Sequence, residues 1–171
     1  MVKEKSNIVL IGMPGSGKST AGIILAKMIS KNFIDTDILI QLREGRSLQD
    51  IVDSDGPIVL RRVEEEVILA VNCRDHVIAT GGSAAYSPAA MSHLKKDGIV
   101  IFLDATIDTL KSRIRNYATR GLARRPDQSF ADLFHERLTL YRQYADITIP
   151  NNNLTQEEVC AEIMKQLESR G

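Results

Sequence analysis

Residues Gly12-Met13-Pro14-Gly15-Ser16-Gly17-Lys18-Ser19-Thr20 fit the pattern G-x-x-x-x-G-K-[ST], a phosphate-binding P-loop. Its glycines let the backbone curl until successive N–H groups point into one anion-sized hollow. A helix that begins at the hollow adds the positive end of its dipole. Lys18, expected at a solvent-facing ligand site, can reach the β- and γ-phosphates of a nucleotide, and the Ser19 hydroxyl can ligate Mg²⁺. Gly15, Ser16, Gly17, Lys18, Ser19 and Thr20 are the candidate nucleotide contacts, with Lys18 also a candidate catalytic group.

Asp35-Thr36-Asp37 offers two carboxylates two residues apart, sharing a face if the segment is extended. One could hold Mg²⁺, directly or through water, while the other orients an attacking hydroxyl and accepts its proton. The competing role for Asp37 is to cap a helix starting at Ile38; the two roles are compatible. Thr80-Gly81-Gly82 is either backbone passing close to a small ligand or an ordinary turn. Arg113, Arg115, Arg120, Arg124 and Arg125-Pro126 suit a lid closing over a triphosphate, or else a solvated basic loop. Asp104, ending an apolar run, is a weaker candidate for Mg²⁺. Arg61, on a helix ahead of Glu64-Glu65-Glu66, is by itself an ordinary solvated arginine.

The elements that must carry these groups alternate short apolar runs with amphipathic ones, the pattern of a parallel sheet covered by helices. Strands are expected at 7–11, 32–35, 76–79, 98–103 and 146–149. Helices are expected from residue 21, over 47–54 and 57–72, and near 106–117, 129–144 and 155–169. The helix at 57–72 carries Ile58, Leu60, Val63, Val67 and Val71 as its apolar stripe. Segments 80–88 and 116–128 break the rhythm. In an open parallel sheet, ligands bind beyond the carboxyl ends of the strands, where the P-loop, Asp35/Asp37 and Gly81-Gly82 all fall.

With 171 residues the chain is expected to be one domain. Lys and Arg total 22 against 22 Asp and Glu, so no nucleic-acid or acidic-membrane surface is indicated. Cys73 and Cys160 lack metal or redox spacing and suit reduced thiols in a cytoplasmic protein. The first apolar run is the P-loop strand itself, so no cleaved leader is expected in it. No run approaches the roughly 18 apolar residues that would span a bilayer. No N-K-x-D guanine-reading motif supports a GTPase-like switch.

Taken in register, these pieces resemble the shikimate kinase family, small P-loop kinases related in fold to the nucleoside monophosphate kinases. Gly56-Pro57-Ile58-Val59-Leu60-Arg61-Arg62-Val63-Glu64 is similar to the family's G-E-x-x-F-R-x-x-E. Ala79-Thr80-Gly81-Gly82-Ser83 resembles its A-T-G-G-G, and Arg125-Pro126 falls at its lid arginine–proline pair. Glu136-Arg137-Leu138-Thr139-Leu140-Tyr141-Arg142-Gln143-Tyr144-Ala145-Asp146 resembles its E-R-x-x-L-Y-x-x-x-A-D. Pro57, Leu60, Ser83, Asp127 and Gln128 depart from the pattern, the last two replacing a leucine pair of the lid.

The resemblance implies an α/β fold with a five-stranded parallel sheet flanked by helices, a P-loop NTPase of the nucleoside monophosphate kinase type. It implies one domain over residues 1–171, a substrate-binding helical segment at about 36–62 and a mobile lid at about 116–128. ATP would be co-substrate and Mg²⁺ the cofactor, with shikimate as acceptor. By the same resemblance Asp37 engages the hydroxyl that is phosphorylated and Asp35 helps position Mg²⁺. Arg61 and Arg137 clamp the acceptor carboxylate, Gly81 and Gly82 meet the substrate, and Arg125 swings over the phosphates as a catalytic group. Adenine contacts would lie near 151–155, and a cytoplasmic monomer is expected. The alternative is a related kinase acting on another small hydroxy acid or a nucleoside monophosphate.

Overall fold

The computed structural model describes residues 5–114 and 121–171. Its strands are β1 (Asn7–Ile11), β2 (Asn32–Asp35), β3 (His76–Ala79), β4 (Gly98–Asp104) and β5 (Ile147–Pro150), all parallel in the order β2-β3-β1-β4-β5. Parallel strands covered on both faces must be apolar throughout, and β1 is buried along its whole length. The helices are α1 (Lys18–Met28), α2 (Thr36–Glu44), α3 (Leu48–Asp55), α4 (Pro57–Ala70), α5 (Pro88–Lys95), α6 (Ile107–Arg113), α7 (Phe130–Tyr144) and α8 (Gln156–Glu168).

Alternation along the strands divides the interior. Ile8 and Leu10 of β1, with Ile101 and Leu103 of β4, pack against α1 and α8. Val9 and Ile11, with Val100 and Phe102, face α5, α7 and the inner side of α4. A third, smaller cluster stands apart: Ile40, Ile51, Leu60, Val63, Val67 and Ala123 join α2, α3 and the outer part of α4. Register lines up Asp35, Ala79, Leu10 and Ile101 across the sheet, so the loops after β1, β2 and β3 open on one edge. Strand order reverses at β1, and that is where a crevice forms in such sheets.

The expected strands are all present, and four helices, α2 at its start among them, differ from their expected form. α5, preceded by a one-turn 3₁₀ helix at Ala84–Tyr86, occupies ground that the sequence pattern leaves without a helix. Only Ala90, Met91 and Leu94 of its eight residues are buried, too short a stripe to show as a period. α4 ends at Ala70, leaving Val71 outside, and Ile58 is 78% exposed at its first turn rather than part of the stripe. α6 ends at Arg113. Arg115 and Arg120, with the first part of the expected lid at 116–120, lie outside the described residues; 121–128 run without helix or strand. Among the described residues no helix is long and apolar enough to cross a membrane.

Candidate active site

The Gly12–Thr20 loop leaves β1 with Gly15 at φ +85° and Gly17 at φ +89°, a region L side chains rarely adopt. Added Cβ atoms there would also strike Ile114 and Gln156 at 2.6 and 2.7 Å. α2, α3, α5, α6, α7 and α8 are each closed by an Asp, Ser or Thr side chain at the N-cap. α1, capped by Gly17, has no such bond and no acidic residue in its first turn; the same holds for α4, which begins with a proline, but only α1 starts at the phosphate-binding loop. Its N–H groups and dipole are thus left to an anion. Lys18 is only 7% exposed, not solvent-facing, and its Nζ donates to the Gly12 and Met13 carbonyls at 2.7 and 3.0 Å. Ser16 lies beneath the loop, fully buried, its N–H held by the Met13 carbonyl at 3.0 Å.

The two aspartates divide the roles that the sequence left open. Asp35, not Asp37, caps α2: its Oδ1 accepts the Asp37 N–H at 2.9 Å. Because the helix begins at Thr36, Asp35 and Asp37 do not share an extended face. Asp35 Oδ2 instead accepts the Ser19 hydroxyl at 2.6 Å, a hydroxyl and a carboxylate side by side at the start of α1. Asp37 turns into the cleft. The Thr36 hydroxyl, fully buried, accepts the Gly81 N–H at 3.0 Å and pins α2 to the loop after β3. That N–H is therefore already occupied and not free for a ligand. A Cβ on Gly81 would collide with Glu64 Oε1 and come within 2.7 Å of Asp37 Oδ1, so only glycine fits between the two carboxylates.

A cleft of about 400 Å³ gathers Gly15, Gly17, Lys18, Ser19 and Thr20 from the loop with Asp37, Gly81, Gly82 and Arg137. Glu64, Ser83, Arg113 and Ala123 share its walls. Arg137, 1% exposed, is among the largest fully buried side chains. A Cβ on Gly82 would stand 2.5 Å from its Nη1. Arg61 does not line the cleft itself; it stacks 3.6 Å over the Tyr86 ring, just behind. The two arginines nonetheless meet: Arg61 Nη2 and Arg137 Nη2 both donate to the Ala123 carbonyl, at 3.3 and 3.2 Å.

Arg125 is turned away from the cleft, its side chain 65% exposed and 4.0 Å from Glu136. Glu136 also accepts from the Tyr86 hydroxyl at 2.5 Å and the Gln128 amide at 2.9 Å, so Gln128 ties the end of the lid segment to α7. Arg113 is the arginine that already stands in the wall, one Nη donating to the Asn151 carbonyl at 3.3 Å and the other buried with no partner among the described residues. In a run of arginines, spacing alone cannot say which one points inward. Asp104 faces Arg142 at 4.0 Å and takes no part in the cleft. Glu64 is the other residue that sequence reasoning passed over. Its signal was a carboxylate between Val63 and Val67 on the buried stripe of α4, where charge is rarely tolerated.

Four charges thus meet with little water. Burial pushes the Asp37 carboxyl up to about 6, helped by Asp35 and opposed by Lys18. Burial also lifts Glu64 to about 7, with Asp37 adding and the Ser83 hydroxyl and Arg137 opposing. Lys18 falls to about 8, again chiefly through burial, with Asp37 pulling the other way. A poised carboxylate beside a phosphate-sized hollow is equipment for deprotonating a hydroxyl as a phosphoryl group arrives.

The family model described as shikimate kinase matches residues 14–168. The chain belongs to the shikimate kinase family. The shikimate kinase of Sulfurihydrogenibium sp. is 36% identical, over 96% of this chain and 99% of that one. The shikimate kinase of Rippkaea orientalis is 41% identical, over 94% and 87%. Among solved structures, the shikimate kinase from Aquifex aeolicus superposes with a TM-score of 0.82 at 33% identity, covering 96% and 97%. The shikimate kinase from Acinetobacter baumannii in complex with shikimate gives 0.82 at 26%, covering 99% and 96%. The likeness therefore extends over nearly the whole chain, sheet, loop and helices together.

Proposed function

We propose that this chain transfers the γ-phosphoryl group of ATP to a hydroxyl of shikimate. The observation that carries the reading is the convergence of Arg61 and Arg137 on one oxygen in the wall of the cleft that holds Lys18 and Asp37. Two guanidinium groups aimed at a single oxygen suit a carboxylate, which would take the place of the Ala123 carbonyl and gain two charge-assisted donors. Family membership and the likeness to a shikimate-bound relative support the same acceptor.

With the carboxylate so held, a ring hydroxyl faces Asp37. Its oxygen attacks the γ-phosphorus, its proton passes to Asp37, and the bond to the bridging oxygen breaks with its electron pair leaving on ADP. Lys18 exchanges the Gly12 and Met13 carbonyls for phosphate oxygens, and the open N-terminus of α1 receives the rest of their charge. The Ser19 hydroxyl and Asp35 carboxylate, 2.6 Å apart, are the hard oxygen donors Mg²⁺ prefers, so they fit the ion. Held there, Mg²⁺ would supply positive charge against the nucleotide phosphates. Segment 36–62 forms the acceptor wall. Movement of segment 121–128 toward the cleft would bring Arg125 to the phosphates, beside Arg113 in the wall. Gly82 offers its backbone to the acceptor. The enzyme works as one domain and as a cytoplasmic monomer, an environment that suits the free thiols of Cys73 and Cys160.

An ADP-release assay with Mg²⁺ and ATP across shikimate, other hydroxy acids, homoserine and nucleoside monophosphates tests this. Turnover of shikimate is expected, and its absence alongside turnover of a nucleoside monophosphate would overturn the assignment.

A further inference from the structure

Position 83 is where the resemblance sets a third glycine. The backbone there does not ask for one: Ser83 has φ −99° and ψ 3°, which any residue adopts. Its side chain is buried, 7% exposed, and its hydroxyl donates to Glu64 Oε2. Glu64 is buried in turn, 3% exposed, and its other oxygen, Oε1, has no hydrogen-bond partner among the described residues and lies against Gly81 in the cleft wall. A buried carboxylate with one oxygen fixed and one free is a group held ready for a ligand rather than one satisfied by the fold.

We propose that the Ser83 hydroxyl is a positioning group for acceptor binding, holding Glu64 as a fixed carboxylate whose second oxygen stays open to the cleft. The charged groups facing Glu64 explain why a holder is needed. From α2 Asp37 repels its charge, while from α1 Lys18 and from α7 Arg137 attract it; Tyr141 on α7, held neutral by its burial, adds no charge. With Ser83 in place Glu64 titrates near neutrality, so a small bias decides whether it is charged when the enzyme works. A hydrogen bond donated to the ionised form supplies that bias. With both carboxylates ionised, Asp37 and Glu64 balance Lys18 and Arg137. A protonated Glu64 would leave the cleft with excess positive charge and its free oxygen altered as an acceptor.

The inference rests on the acceptor site proposed above. Failure of that reading would appear separately, as unmutated enzyme that does not phosphorylate shikimate. Ser83→Ala and Ser83→Gly are compared with the unmutated enzyme by kcat/KM for shikimate and KM for ATP from pH 6 to 9. Loss of a hydrogen bond to a charged group should move the acidic limb for shikimate upward by about one pH unit. A move from about 7 to about 8 lowers the ionised fraction at pH 7 from about a half to about a tenth, so kcat/KM falls roughly fivefold there and recovers by pH 9. KM for ATP should not change. In a Glu64→Gln background, which cannot ionise, Ser83→Ala should add nothing. An equal loss at every pH, no shift of the acidic limb, or a full further loss in the Glu64→Gln background would overturn the proposal.

Discussion

Replacing Asp37 by Asn should make the enzyme more stable and nearly inactive at once. The change keeps the side chain's shape and spares the α2 cap, because Asp35 accepts the helix N–H. What it removes is a charge held at a cost: Asp37 titrates at about 6 in the cleft against 3.8 for an ordinary aspartate. At about 1.4 kcal/mol per pH unit, the buried charge costs roughly 3 kcal/mol at neutral pH. The attraction of Lys18 is already contained in that value, and screening and relaxation around the cleft reduce what the variant recovers. The net is about 1–3 kcal/mol, or roughly 2–10 °C in Tm for a chain this size. Below about pH 4 folded and unfolded aspartate are both protonated and the wild type keeps its full stability. As pH rises toward 6 the unfolded chain ionises first, so the wild type loses stability that Asn does not. The gap should therefore open between pH 4 and 6 and then stay constant. Thermal unfolding in EDTA without nucleotide measures it, and kcat for shikimate should fall at least about 100-fold. An Asn variant that is active, or less stable than wild type at pH 7, would refute the reasoning.

Lys18→Ala should cost at least about 100-fold in kcat, the scale of losing one donor to developing charge, with the fold intact by circular dichroism. Arg61→Ala should raise KM for shikimate about 10- to 100-fold while leaving KM for ATP unchanged; Arg137, fully buried, is better probed as Arg137→Lys, which cannot restore the bidentate geometry. Asp35→Asn should keep Tm, since Asn caps as well as Asp, yet raise the Mg²⁺ concentration needed for half-maximal rate; Asp35→Ala should in addition lose about 1 kcal/mol in thermal unfolding.

Much of this site is readable from local pattern because its parts are contiguous. A P-loop needs only its own glycines and lysine, and the Asp35–Asp37 and Gly81–Gly82 pairs follow strands that the apolar runs mark plainly. What local pattern misses is decided across space. Asp35 rather than Asp37 is the cap because pairing with Ala79 holds the chain extended up to Asp35. Arg61 owes its posture to Tyr86, a residue of a one-turn helix that shows no period. Arg125 leaves the cleft for Glu136, on a helix eleven residues further along, while Arg113 stays because the end of α6 abuts Asn151. Glu64 was in view, within a recognised motif, but a charged residue in a helix is solvated unless the neighbouring valines are known to be buried.

The small cluster of Ile40, Ile51, Leu60, Val63, Val67 and Ala123 shares none of its members with the two that sandwich the sheet. Stability in a protein is distributed in cooperative blocks, each opening at a free energy set by its own interior. The elements it joins, α2, α3 and the outer part of α4, should therefore open as a block of their own, before the sheet. Amide hydrogens of α2 and α3 should exchange with solvent well before those of β1 and β4, and mild denaturant should weaken acceptor affinity before nucleotide affinity. Ala123 belongs to that block and also touches both arginines, so filling the arginine pair and tightening the block are mechanically one event.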